Sequence, residues 1–287
     1  MNSLFKRVLE HGPRHASARV RSLALPTRAD GHVLMLHTGR SGSTVLGAML
    51  DQHKSIFWDG ETIEKRLHRM SAQQGVGISQ FYGKLTLGDS ISHISNRVRR
   101  LSGGRHFGLE IQDYQLAMME ADCASFLEEI RKLGFSKFII LDRNPIRKLI
   151  SHIIAVDRGQ HHATAKDKVT NRKTAINPDR VYAGHRIVTF EDALAQYEDF
   201  LATFESLLQG EEVLRLSYAE HIEESPLVAY EEVCRFLGLE PQSPAITLRK
   251  TTQRNLADVI ENYAELESRV LQSRFKDAML EVMNGKA

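Results

Sequence analysis

Eight residues, His37-Thr38-Gly39-Arg40-Ser41-Gly42-Ser43-Thr44, place two glycines, four hydroxyls and an arginine directly after the apolar run VLML. A helix-like stretch follows. A strand, a Gly/Ser-rich turn and a helix N-terminus form a site for a tetrahedral anion: successive backbone N–H groups point into the concavity, and the helix end adds positive charge. Gly39 and Gly42 let the backbone come close to a ligand. Ser43 and Thr44 can donate hydroxyl bonds and cap the helix. Arg40 offers a planar fork for two anionic oxygens. A plain turn capping a core helix would use some of the same residues, but the density of Gly, Ser and Arg favours an anion. The loop departs from G-x-x-x-x-G-K-[ST], because Ser43 stands where the lysine would. Triphosphate chemistry is poorly served without that lysine and without an obvious acidic partner for Mg²⁺. A phosphosulfate, carrying less charge, needs fewer cations.

The run KFIILDRNPIRKLISHIIA repeats this architecture. A strand over 137–142 ends at Arg143, and Asn144-Pro145 starts a helix, with proline at a favourable early position. Ser151 lies eight residues after Arg143, about two helical turns on. Arg143 and Ser151 can therefore grip one phosphate together. Alternatively, Arg143 caps the strand and Ser151 is a neutral helix residue.

The elements that must carry these groups read as α/β. Apolar runs at 33–37, 55–59, 107–112, 137–142 and 212–218 predict strands. Helical periods over Ala121–Leu133, Ile146–Val156, Phe190–Leu208, Leu227–Leu237 and Leu256–Leu271 alternate with them. That order predicts a three-layer α/β/α fold around a mainly parallel sheet. The glycine-bearing stretch 60–104 reads as short helices and loops over the open end of the sheet. Residues 157–185 read as a polar, basic flap. Residues 1–30 read as a mobile basic arm in which Gly12-Pro13 breaks any helix, and 31–287 as one domain.

Order and spacing of the two anion motifs, about one hundred residues apart, resemble the sulfotransferases that use 3′-phosphoadenylyl sulfate (PAPS), a P-loop-like fold. The segments LRLSYAEHIEESPLVAYEEVCRFLGLE and TTQRNLADVIENYAELESRV extend the likeness over roughly 32–271. The block RSGSTVLGAMLDQHKSIFWDGETI is most similar to protein-tyrosine sulfotransferases and related carbohydrate and lipid enzymes. The resemblance implies that Arg40, Ser41, Gly42, Ser43 and Thr44 bind the 5′-phosphosulfate, and Arg143 and Ser151 the 3′-phosphate. It places Tyr218 near the nucleotide, where a core aromatic is the alternative. Lys250 and Thr251, with Arg249, Thr252 and Arg254, fall where the family has a loop closing over the 3′-phosphate; a solvated basic turn is the alternative. Glu61, after Gly60, matches the family's general base, against a simple helix-start glutamate stabilised by the dipole. Arg40 would offset charge on the leaving phosphate oxygen. His37, His53 and Asp113 are weaker candidates for the base.

Two departures stand out. Glu110 in FGLEIQ occupies a place where family members often carry lysine, and Asn144-Pro145 replaces Asp-Pro. The expected activity is sulfuryl transfer from PAPS to a hydroxyl of a carbohydrate, glycolipid or other small molecule, releasing adenosine 3′,5′-bisphosphate, with no metal. A P-loop phosphotransferase and a non-catalytic nucleotide-binding relative are the competing readings, the last resting on Glu110.

Composition sets the outer bounds. The chain has 287 residues, 42% hydrophobic and 26% charged, with net charge +2. Such a balance is ordinary for a globular protein and argues against a nucleic-acid partner. Only two cysteines occur, in helical patterns, so a reducing compartment, the cytoplasm, is expected. No apolar run reaches the roughly 18 residues of a membrane span. The Arg-rich N-terminus also reads as an organelle transit segment, though Gly12-Pro13 argues for the arm. His161-His162 lacks partners at metal spacing. The basic stretch 158–173 reads first as a solvated loop and second as a weak attraction for an anionic acceptor or a membrane face. Oligomeric state stays open.

Overall fold

The computed structural model describes residues 3–26, 28, 30–76, 85–159, 163–164, 172–183, 186–249 and 255–285. Its strands are β1 His32–His37, β2 Ile56–Gly60, β3 His106–Gln112, β4 Phe135–Asp142, β5 Ala163–Thr164, β6 Val181–Ala183, β7 Arg186–Val188, β8 Val213–Ser217 and β9 Leu248–Arg249. Five of them form one sheet in the order β2-β3-β1-β4-β8, parallel at every pairing. The pairs β5–β9 and β6–β7 are small antiparallel additions.

The helices among the described residues are α1 Ser3–Ala24, α2 Ser43–Leu50, α3 Thr62–Gln74, α4 Leu87–Leu101, α5 Asp113–Met118, α6 Cys123–Lys132, α7 Pro145–Arg158, α8 Phe190–Leu207, α9 Tyr218–His221, α10 Pro226–Phe236, α11 Tyr263–Leu271 and α12 Lys276–Met283. β1 is buried along its whole length, as a central parallel strand must be. Its Leu34 and Leu36 join Phe107, Leu109, Phe138 and Ile140 on one face, under α3, α4 and α6. Val33 and Met35 join Ile139 and Leu141 on the other, under α2 and α10. This is the expected three-layer α/β/α architecture. A further cluster binds α7, α8, α11 and α12 together beside the sheet.

Three expectations are corrected. Residues 60–104 hold two substantial helices, α3 and α4, rather than short ones. The period was present: Ser90, Ile94, Val98 and Leu101 of α4 are buried, and Thr86 caps it through the Asp89 amide. The stretch Leu256–Leu271 is a 3₁₀ turn and then α11, because the Asn262 side chain bonds the backbone of Ile176 at both its N–H and C=O. Residues 3–24 form helix α1, which continues through Gly12-Pro13. Packing outweighs the roughly 3 kcal/mol cost of an interior proline: Ala18 is buried, Arg14 pairs with Asp51 and donates to the Trp58 carbonyl, and Arg21 donates to Gly103. Both cysteines are free. Among the described residues no helix is long and apolar enough to cross a membrane.

One ion pair fixes the edge of the sheet. Asp59, near the end of β2, is buried and accepts both donor nitrogens of Arg97 from α4. Burial pushes its carboxyl up, but the hydrogen bonds and charge of Arg97, with Lys65 and Thr62, outweigh this and hold it below the usual range. A depressed carboxyl stabilises the fold above its unfolded pKa and loses that contribution as pH falls toward the folded one. Arg97→Met should therefore lower the unfolding free energy by about 3 kcal/mol at neutral pH. Urea denaturation at pH 7 and at about 3.5 should show the penalty shrinking in acid.

Candidate functional site

Every strand of the main sheet delivers a polar group to its C-terminal edge, and β1 lies where the chain order reverses. Open parallel sheets bind ligands at that crevice. β1 ends in His37 and the loop to α2. β2 ends at Gly60, before Glu61. β3 ends in Gln112 and Asp113, β4 runs into Arg143, and β8 into Tyr218.

The loop itself is left-handed at three of four positions, with φ of 76° at Gly39, 54° at Arg40 and 88° at Gly42. Such backbone turns successive N–H groups toward one concavity. Gly42 caps α2 without a side-chain bond. A Cβ there would sit 2.7 Å from Ile222 and 3.2 Å from Tyr218, so only glycine fits. Ser41 and Ser43 are buried and Thr44 is exposed.

The two motifs meet. Arg143 Nη1 donates to the Arg40 carbonyl at 2.5 Å, and Arg40 Nε donates to Ser151 Oγ at 3.2 Å. Tyr218 stacks under the Arg143 guanidinium, 4.1 Å from it. Burial pulls Arg143 down to about 10 and lowers Arg40 as well, with Tyr218 opposing in both. Asn144 caps α7 through the amides of Ile146 and Arg147 and ties it to the Ala278 carbonyl of α12. Ser41 Oγ and Arg143 Nε are buried and have no hydrogen-bond partner among the described residues. Two orphaned donors beside a left-handed loop fit an anionic group.

Carboxylates occupy the other half. Glu61 precedes α3 and shares a hydrogen bond with Glu64, one turn on. Burial raises Glu61 well above the usual range, and Glu64 and Glu110 raise it further, while a bond from Gln112 opposes. Burial also pushes Glu64 up, but bonds from Glu61, His68 and Tyr114 outweigh it and keep it below the usual range. Tyr114 Oη lies 2.6 Å from Glu64. Glu110 points beneath α2, where its Oε1 accepts from Trp58 Nε1 at 2.5 Å. Its Oε2 lies 3.3 Å from His37 Nε2.

Ligand atoms of His37, Glu61 and Glu110 lie within 4.8 Å of one another, close enough for an ion by distance. The Gly39 amide, however, donates to His37 Nδ1 at 3.1 Å. A neutral ring then carries its proton on Nε2, the atom an ion would need. Between the two halves sit Asp113 and Lys148, both pushed toward neutrality by burial, Lys148 to about 7.

Arg40, Ser41, Gly42, Ser43, Arg143, Ser151 and Tyr218 thus come together, and Glu61 stands on the same edge. Lys250 and Thr251 lie outside the described residues, as do His161 and His162. His53 is away from the edge: its ring bonds the Ser55 amide and the Glu240 carbonyl. Arg172 pairs with Asp157 at 2.8 Å and Arg158 bonds the Arg172 carbonyl, so these two cations of the basic stretch are engaged within the chain. Sequence reading missed Glu64, Gln112 and Lys148. Glu64, at i+3 from Glu61, was within reach of it.

No known family's sequence profile matches this chain, and no curated protein matches it. Among solved structures, the fold is similar to that of a sulfotransferase from Alicyclobacillus acidocaldarius, with TM-score 0.50, 15% identity, and coverage of 89% of this chain and 96% of that one. Also similar are a sulfotransferase domain from the curacin biosynthetic pathway, with TM-score 0.45, 14% identity and coverage of 90% and 97%, and a sulfotransferase from Mycobacterium avium, with TM-score 0.44, 9% identity and coverage of 90% and 80%. The chain therefore has a sulfotransferase-type fold.

Glu61 gives this geometry a sign that can be checked. A carboxyl raised in the folded state favours folding below its unfolded pKa, about 4.3. That advantage is lost as pH rises through the folded value. Glu61→Gln removes the loss and can donate to Glu64. The variant should melt above the parent at pH 8 and close to it at pH 4, by calorimetry at both.

Proposed function

We propose that this protein is a sulfotransferase that moves the sulfuryl group from PAPS to a hydroxyl of a carbohydrate, glycolipid or other small molecule. The observation that carries the proposal is the contact between the motifs at Arg40 and at Arg143, with Ser41 Oγ and Arg143 Nε buried and unpartnered among the described residues. Arg40 and the amides of Ser41–Thr44 would hold the 5′-phosphosulfate. Arg143 and Ser151 would hold the 3′-phosphate, with Tyr218 keeping the guanidinium in place from below.

Sulfuryl transfer resembles phosphoryl transfer, in which a loose, in-line transition state leaves positioning and electrostatics as the main work. Glu61 would take the proton of the acceptor hydroxyl as its oxygen bonds to sulfur. Arg40 and the loop amides would offset the charge gathering on the departing phosphate oxygen. Gln112 bonds Glu61 and lies against Gly39, so it would align the base with the loop. A raised Glu61 must ionise before it can act, so turnover should climb with pH through its folded pKa.

Glu110 does not count against catalysis. It is engaged under α2 by Trp58 rather than projecting into the anion loop.

Adenosine 3′,5′-bisphosphate at a hundred times its Kd should stabilise the fold by about 2.7 kcal/mol, and ATP-Mg²⁺ should not, read by thermal shift. Transfer of radiolabelled sulfate from PAPS to a panel of sugars, glycolipids and phenols should then give product. Glu61→Gln should lose turnover and keep bisphosphate binding. Stabilisation by ATP-Mg²⁺ alone would point to a phosphotransferase.

A further inference from the structure

The anion loop rests on a buried chain of hydrogen-bonding groups that the reading above does not use. Trp58 Nε1 donates to Glu110 Oε1 at 2.5 Å. Glu110 Oε2 lies 3.3 Å from His37 Nε2, at ion-pair distance but outside hydrogen-bond alignment, and His37 Nδ1 accepts the Gly39 N–H at 3.1 Å. His37 is fully buried and Glu110 nearly so. Helix α2 crosses over the pair so closely that a Cβ on Gly47 would sit 2.6 Å from Trp58 Nε1 and 2.8 Å from Glu110 Oε1. The indole has one donor and no acceptor, so it holds the carboxylate in one orientation.

We infer that Glu110 and His37 are positioning residues: the negative charge of the Glu110 carboxylate beside Nε2 favours the His37 proton there, leaving Nδ1 free to accept the Gly39 amide and turn the loop's later amides outward to the anion. An imidazole with its proton on Nδ1 would set two donors against each other at Gly39. An acidic group opposite Nε2 reinforces the tautomer that the Gly39 amide requires. Lysine at position 110 would be a donor to both Trp58 and His37 and could not do this. The acidic residue there is what the loop needs, and Gly47 and Trp58 are its supports. This inference rests on the donor-binding reading for its effect on affinity, but not for the tautomer itself.

Glu110→Gln keeps size and removes one acceptor. Whichever way the amide turns, its NH₂ meets a donor, either Trp58 Nε1–H or His37 Nε2–H. Nitrogen-15 NMR of histidine-labelled protein, with the His37 signal assigned by its loss in His37→Asn, reads the proton's position. Wild type should show it on Nε2. Glu110→Gln should shift the population toward Nδ1, speed exchange of the Gly39 amide, and weaken adenosine 3′,5′-bisphosphate binding by roughly tenfold. A wild-type ring protonated on Nδ1, or a variant with unchanged tautomer and unchanged Gly39 exchange, would overturn the inference. The wild-type spectrum decides even if the variant does not fold. If wild type fails to bind the bisphosphate, the donor reading falls, while the tautomer and the amide exchange still judge the relay.

Discussion

Three left-handed residues within four positions make a backbone that the chain does not hold unaided. Arg40 is the costly one, since a side chain in that region loses roughly 1–2 kcal/mol against an ordinary conformation. The loop keeps its shape because it is bonded from both sides. Arg143 holds the Arg40 carbonyl from the β4 side, and His37 holds the Gly39 amide from below. The start of α2, the direction of the amides and the contact between the two motifs all depend on that double anchorage. β1, central in the sheet and buried throughout, is the rigid base for it.

Charge is divided across the loop. Arg40, Arg143 and Lys148 lie toward β4, while Glu61, Glu64 and Glu110 lie toward β2 and β3. Burial moves Glu61 and Lys148 toward their neutral forms, which lowers the cost of holding these groups together. It also leaves each half unsatisfied in a way a reaction can use. The cationic half holds Ser41 Oγ and Arg143 Nε, which have no hydrogen-bond partner among the described residues, and in the acidic half Glu61 and Glu64 share a hydrogen bond. In the proposed reaction the acceptor hydroxyl would sit between the two halves.

Much of this was legible because parallel strands are buried on both faces and read as unbroken apolar runs. The five main strands and the helices α6, α7, α8 and α10 fall where their patterns put them. α3 and α4 were harder, because glycines at 60, 75 and 88 punctuate an amphipathic period that only the packed face makes evident. α1 was read as an arm because Gly12-Pro13 is locally unfavourable, whereas Arg14, Ala18 and Arg21 find partners far along the chain. Glu110 was read against a lysine; its bonds to Trp58 and approach to His37 come from residues 52 and 73 positions away.

What the sequence determined by itself was the Gly/Ser-rich turn after β1, the Arg-Asn-Pro turn after β4, the α/β order that carries them and the placement of Glu61 after a strand. These are local: a turn, a cap and an apolar period each depend on a few neighbouring residues. Only the tertiary structure decided that Arg143 reaches the Arg40 carbonyl and that Glu110 lies under α2 against Trp58. Those facts depend on strand order and on close approach between elements. A hydrogen bond spanning a hundred residues leaves no periodic trace in the sequence, because its geometry exists only once the sheet has brought its ends together.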